Sequence, residues 1–137
     1  SLHDALPILS VDGLTAPVAV VTETVGSRYF YCHANQLTGS IPNLSANTAL
    51  TIFYCYSNQL TGWAGGGVPN TLGYFHAGSN AFTQAAVDGI LAAFVAAGRA
   101  SGQRILTLNG GTNAAPSAAG LVDKATLVSR GWTLGTN

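Results

Sequence analysis

Charge is what this chain has least of. Asp, Glu, Lys and Arg make up 7% of its 137 residues, against the roughly 25% usual for soluble domains. The five cations, Arg28, Arg99, Arg104, Lys124 and Arg130, are scattered singly and the formal net charge is zero. No basic stripe is present to track phosphates, which argues against nucleic acid as a partner. Long apolar runs are missing too. The longest covers residues 85–97, is broken by Asp88 and Gly89, and is too short to cross a bilayer. Carboxylates are too sparse for acid–base work: Asp88 and Asp123 have no second carboxylate nearby in the sequence. Gly65-Gly66-Gly67 and Gly110-Gly111 lack the GK[ST] ending of a phosphate loop. These gaps point away from an enzyme, and no cofactor is implied.

What the chain does have is a near-duplicated stretch. Phe30-Tyr31-Cys32-His33-Ala34-Asn35-Gln36-Leu37-Thr38-Gly39 returns as Phe53-Tyr54-Cys55-Tyr56-Ser57-Asn58-Gln59-Leu60-Thr61-Gly62, 23 residues later. Such a period predicts stacked structural units. Alignment on the asparagine gives the pattern L-x-x-L-x-L-x-x-N-x-L. A third copy has Leu72, Phe75, Ala77, Asn80 and Phe82, and a fourth has Ile105, Leu108, Gly110, Asn113 and Ala115. Trp132, Leu134 and Asn137 open a further one, and Leu9, Asp12 and Leu14 fall on the same positions upstream.

The pattern resembles the leucine-rich repeat family, and Asn35-Gln36-Leu37-Thr38-Gly39-Ser40-Ile41-Pro42-Asn43-Leu44 is most similar to its LTGxIP variety. The resemblance covers nearly everything from Leu9 onward. It implies an α/β fold: a leucine-rich repeat solenoid with one parallel β-sheet on the concave side. Irregular returns are expected in the N-terminal half, where Gly39, Pro42, Asn43, Gly65–Gly67 and Pro69 disfavour helix. Residues 14–25 are read as the first such return. Two helices are expected in the C-terminal half. Thr83 caps one over 84–97, with Val87, Ile90, Leu91, Phe94 and Val95 on one face and Gly98 ending it. Pro116 or Ser117 opens the second, which runs through Ala118, Leu121, Val122, Ala125 and Val128 to Gly131. Residues 80–137 form the helix-containing C-terminal repeats, or cap.

The opening Ser1-Leu2-His3-Asp4-Ala5-Leu6-Pro7-Ile8 fits neither the repeat nor a signal peptide. It matches a translated sequencing-library adapter, so residues 1–8 are read as an artefact and 9–137 as a repeat domain that begins in mid-repeat.

Strand alternation then assigns the faces. Phe30 and Cys32, Phe53 and Cys55, Phe75 and Ala77, and Leu108 and Gly110 point inward. Cys32 and Cys55 are read as small buried thiols on neighbouring strands, with a disulfide between them the alternative in an oxidising compartment, and His33, on the opposite face from Cys32, cannot serve it as a base. Asn35, Asn58, Asn80 and Asn113 form a structural ladder satisfying turn backbone. Left on the concave face are Tyr29, Tyr31, His33, Tyr54, Tyr56, Tyr74 and His76, with Tyr31, Tyr54 and His76 in one row and Tyr29, Ile52 and Tyr74 in the next. His33 and His76 lie two strands apart, too far to share a metal. Tyrosines offer rigid area with a polar tip, a surface suited to binding a protein or a glycan. They also stabilise a sheet by pairing across strands. The low charge with many Thr, Asn, Gly and Ala further resembles bacterial surface proteins and phage tail fibres. The expectation is a non-enzymatic binding module acting in adhesion or host recognition at an extracellular, cell or virion surface. The alternatives are a spacer or capping segment of a longer fibre and an intracellular scaffold, which two unpaired cysteines permit.

Overall fold

Phe30, Phe53, Phe75 and Leu106 each sit between two half-buried residues, the alternation expected of strands with one face against a core. In the computed structural model, which describes residues 26–137 and the strand Ile8–Ser10, these residues centre four strands of a six-stranded parallel sheet. In chain order the elements are β1 (Ile8–Ser10), β2 (Tyr29–Tyr31), β3 (Thr38–Ile41), β4 (Ile52–Tyr54), β5 (Gln59–Trp63) and β6 (Tyr74–His76), then α1 (Gln84–Ala97), β7 (Ile105–Thr107), α2 (Ala118–Ser129) and β8 (Thr133–Gly135). The main sheet runs β1-β2-β4-β6-β7-β8. Among the described residues the fold is mixed α/β, with parallel sheet and two helices. Most of the adapter-like segment, Asp12, Leu14 and the return expected over 14–25 lie outside the described residues.

The expectation of one sheet needs correction. Residues 38–41 and 59–63 are not loose returns; β3 and β5 pair in parallel as a second, two-stranded sheet, with a register shift between Gly39 and Ser40. Leu60 alternates with exposed Gln59 and Thr61 in β5, whereas Thr38, Gly39 and Ser40 of β3 are all exposed and only Ile41 is buried. The ladder continues past β5: Ala81 N–H donates to Leu60 O at 2.9 Å and Thr83 N–H to Thr61 O at 3.0 Å. Turn residues had masked these short strands.

Two alignments also shift. Leu9 pairs with Phe30, not with the position of Cys32. In the fourth copy Leu106, rather than Leu108, lies opposite Phe75; Leu106 and Leu108 fill the core, and Gly110 lies in the turn beyond. The cause is a longer turn built on Gly110 and Gly111, at φ +89° and +63°. Asn113 therefore reaches back five residues to Leu108 O, where Asn80 reaches back three to Ala77 O. The shift in the fourth copy is two residues, so Leu106 and Leu108 both stay on the inner face.

Between the sheets and helices runs a column of rings: Phe30 and Phe53 stack at 5.4 Å, Phe53 and Phe75 at 5.3 Å, and Phe75, Phe94 and Trp132 continue it edge to face. Burying each such side chain contributes about 1.5–3 kcal/mol. Helix α1 starts where Thr83 accepts from Ala86 N–H at 3.2 Å and ends at Gly98, φ +67°. It buries Val87, Ile90, Leu91 and Phe94. Helix α2 starts at Ser117 as expected but turns a different side inward. Gly120 and Leu127 are buried, whereas Leu121, Val122 and Val128 are 52%, 66% and 52% exposed. Asp88 of α1 fixes this roll by accepting from Ser117 N–H at 3.0 Å, and it lies so close to Gly120 that a Cβ there would strike its carboxylate. No helix among the described residues is long and apolar enough to cross a membrane.

Candidate functional site

The sheet register sets the candidate face. Tyr29, Ile52 and Tyr74 form one row and Tyr31, Tyr54 and His76 the next, as expected from the sequence; on the fourth strand Ile105 joins the first row and Thr107 the second. Beyond the strand ends the backbone ladder continues through Ala34 N–H to Tyr56 O and Ser57 N–H to Gly78 O, which adds His33, Tyr56 and Gly78 as a third row. All seven Tyr and His side chains are half-buried.

Within this face the rings do not simply follow their rows. Tyr31 and Tyr54 lie 5.3 Å apart and tilted by 40°. His76, in register with Tyr54, leans instead over Tyr56 at 4.3 Å, while His33 stacks on the other side of Tyr56 at 4.5 Å. The result is a His33–Tyr56–His76 stack running across three strands. Gly78 makes it possible: a Cβ there would lie 3.1 Å from His76 Cε1, and Gly78 N–H donates to His76 Nδ1 at 3.3 Å. Sequence reasoning missed this stack, although a glycine opposite Tyr56 was the signal, since an aromatic ring commonly covers a cross-strand glycine.

Burial pushes the Tyr54 hydroxyl pKa up, with Tyr74, Tyr31 and Tyr56 adding to the shift. Burial, and then His33, lowers the His76 pKa. Gln103 Nε2 donates to Tyr74 OH at 2.7 Å and fixes that ring. The hydroxyls of Tyr29, Tyr31, Tyr54 and Tyr56 have no protein partner among the described residues. His33 Nδ1 is buried without one.

The basic groups on and beside the helices, and Asp88, are engaged elsewhere. Arg99 donates to the carbonyls of Asn70, Thr71 and Gln103, Arg104 to Ala100 O, and Arg130 to Val95 O. Lys124 bonds Thr136 and Asp88 accepts from Ser117. Covalent chemistry has no support from the geometry. Cys32 and Cys55 are free and buried; burial raises the Cys32 thiol to about 12 and that of Cys55 well above its usual value. A thiolate, the reactive form, is therefore strongly disfavoured. Tyr56 separates His33 from His76, and among the described residues no three His, Cys, Asp or Glu side chains gather as a metal site would require.

The asparagines hold the strand ends. Asn58 Nδ2 donates to Cys32 O and Cys55 O, both at 3.0 Å, while its Oδ1 accepts from Leu37 N–H at 3.0 Å. Asn80 and Asn113 repeat this straddling of adjacent strands. Asn35 donates to Cys32 O and His33 O. Asn137 extends the series, accepting from Gly110 N–H and donating to Asn113 O. The residue before each of the first three asparagines, Ala34, Ser57 and Ser79, has φ between +53° and +56°, a left-handed turn with no glycine to announce it. Searches against protein-family models, curated proteins and solved structures find no match to this chain.

Proposed function

We propose that the chain is a leucine-rich-repeat-like solenoid and a non-enzymatic binding module. Its Tyr/His face, concave in that architecture, docks a protein or glycan in adhesion or host recognition outside the cell. The observation that carries this reading is the set of half-exposed tyrosines on rigid strands, four of them with unpartnered hydroxyls, on a face without formal charge. Aromatic side chains with polar tips are the usual anchors of binding surfaces. The recurrent asparagine turn and parallel register support the solenoid.

A structural-spacer reading draws on a different observation, the ring contacts at 4.3–6.0 Å that the face makes with itself. Such pairs stabilise a sheet by roughly 0.2–1 kcal/mol each. The two are separated by replacing Tyr31, Tyr54, Tyr56 and Tyr74 with Phe, which keeps the rings and removes the hydroxyls, and in parallel with Ser. The binding reading expects adhesion to cells or to arrayed extracellular proteins and glycans to fall in both variants while circular dichroism shows the fold retained. Adhesion unchanged in both would sink it, and loss of stability alone would favour the spacer.

A further inference from the structure

Past the asparagine turns the chain runs onto the second sheet, whose outer side carries Thr38, Gln59 and Thr61. With Ser79 and Thr112 from the next two turns, these side chains line an open groove of about 680 Å³. It is separate from the tyrosine face: none of the seven Tyr and His residues lines it.

Three features define what the groove can hold. The first is unused hydrogen-bonding capacity. The side chains of Thr38, Gln59 and Ser79 bond to nothing else among the described residues, and Thr61 and Thr112 make only long contacts of 3.4 Å to carbonyls. The backbone beneath is already satisfied, by Gln59 N–H to Leu37 O, Ala81 N–H to Leu60 O and Thr112 N–H to Asn80 O, so a ligand meets side chains rather than an open sheet edge. The second is the lack of charge: no Asp, Glu, Lys, Arg or His lines the groove. Phosphates, acidic sugars and charged peptides find no counter-charge there. The third is the floor, made of Gly39, Ala81 and Gly111. A Cβ at Gly111 would meet Asn80 O at 2.6 Å, and its φ is +63°. The turn thus stays narrow, and no Leu, Ile, Val, Phe or Trp lines the groove.

The remaining chemistry is that of a neutral polyol. Hydroxyl and amide groups both donate and accept, as sugar hydroxyls do, and parallel strands set them at intervals of about 4.8 Å, the length scale of one hexose ring. We propose that this groove is a carbohydrate-binding site for neutral hexose oligomers, independent of the tyrosine face.

The test is an amide chemical-shift titration of the full chain with cellohexaose, maltohexaose and chitohexaose, and with an oligoglucuronate as the charged control. At least one neutral oligomer should give saturable shifts centred on Thr61, Ala81, Gly111 and Thr112. A Gln59→Ala/Ser79→Ala variant should weaken that binding roughly tenfold, the effect of one or two lost net hydrogen bonds. Both substitutions are at exposed side chains bonded to nothing else in the protein, and an unchanged spectrum away from the groove confirms the variant's fold. The tetra-Tyr→Ser variant should bind as the parent does, so failure of the tyrosine reading leaves this result intact. Four outcomes overturn the proposal: no saturable shift with any neutral oligomer, shifts confined to Tyr31 and Tyr54, tighter binding of the glucuronate, or unchanged affinity in the double variant.

Discussion

Replacing Asn80 gives the sharpest test of what holds this fold. The residue is 3% exposed. Its Nδ2 donates to Cys55 O and Ala77 O at 3.0 Å and to Gly78 O at 3.2 Å, and its Oδ1 accepts from Leu60 N–H at 3.0 Å. In Asn80→Ala the losses are unequal. Cys55 O still receives Asn58 Nδ2 at 3.0 Å and Ala77 O still receives Asn113 Nδ2 at 3.2 Å, so only the Leu60 N–H is orphaned on the inner side of the turn. A buried donor left unpaired costs about 1–3 kcal/mol and each lost bond with a surviving alternative about 0.5–1.5. With the orphaned donor and three lost bonds the sum is about 2.5–7.5 kcal/mol, a large share of the 5–15 kcal/mol typical of whole domains. Asn80→Asp separates the donor and acceptor roles. A carboxylate still accepts from Leu60 N–H but turns lone pairs and a buried charge toward three carbonyls, so at pH 7 it should be less stable than the alanine variant. Burial raises the folded pKa of such an Asp above its unfolded value of about 3.9. The native state then binds more protons than the unfolded one, and stability falls as pH rises through the folded pKa. Asn80→Asp should accordingly recover relative to Asn80→Ala as pH is lowered from 7 to 4. Urea denaturation followed by Trp fluorescence at several pH values measures both. The reasoning fails if Asn80→Ala costs less than about 0.5 kcal/mol, the size of an ordinary surface substitution, or if Asn80→Asp is the more stable variant at pH 7.

Two further outcomes follow from the turn and the ring stack. Ala34 and Ser57 are both exposed, at φ +56°; the left-handed region costs an L-residue roughly 1–2 kcal/mol, and glycine returns about 0.5–1 of that through unfolded-state entropy. Ala34→Gly and Ser57→Gly should each stabilise by about 0.5–1 kcal/mol in urea denaturation, against the usual penalty for adding glycine; destabilisation would show the turn to be relaxed. His76 should titrate below the ordinary 6.5. Burial is the main cause and His33 the second; Tyr54 and Tyr56 also pack against it, and Thr107 beside it on β7 is uncharged. Its folded pKa is depressed, so the unfolded imidazole protonates first and stability is lost as pH falls from neutrality through that window. Proton NMR of the His76 ring reads the midpoint, and a value above 6.5 would contradict the stacked geometry.

Much of the scaffold is legible in the sequence because it rests on parity and caps. Phe30, Phe53 and Phe75 recur with alternate burial, so the face of every Tyr survives even a two-residue misalignment. Thr83 and Gly98 bound α1 at the expected residues for local reasons, a side-chain acceptor and a left-handed glycine. The failures involve information held elsewhere in the chain. Turn residues around 38–41 and 59–63 hid β3 and β5, whose partner is another return and not a neighbour in sequence. The exposure of Leu121, Val122 and Val128 on α2 was not legible either, because Asp88, 29 residues before Ser117, holds the start of that helix through a hydrogen bond. The His33–Tyr56–His76 stack depends on a side chain that is absent, at Gly78.

The low charge of the chain takes on a different meaning once its polar groups are followed to their partners. Arg99, Arg104 and Arg130 are spent on backbone carbonyls, Lys124 and Asp88 on a hydroxyl and an amide, and the ladder asparagines on strand ends. Charged groups that in most domains would coat the surface here close gaps in the backbone. Several of the conspicuous groups left over are neutral: the hydroxyls of Tyr29, Tyr31, Tyr54 and Tyr56 on one side of the asparagine turns, and Thr38, Gln59 and Ser79 on the other. Any ligand recognised through them must be won by shape and neutral hydrogen bonds, which salt screens weakly. Binding to either surface should therefore change little as ionic strength rises from low to molar salt, and a steep loss of affinity with salt would place the contact on Arg28 or Asp123 instead.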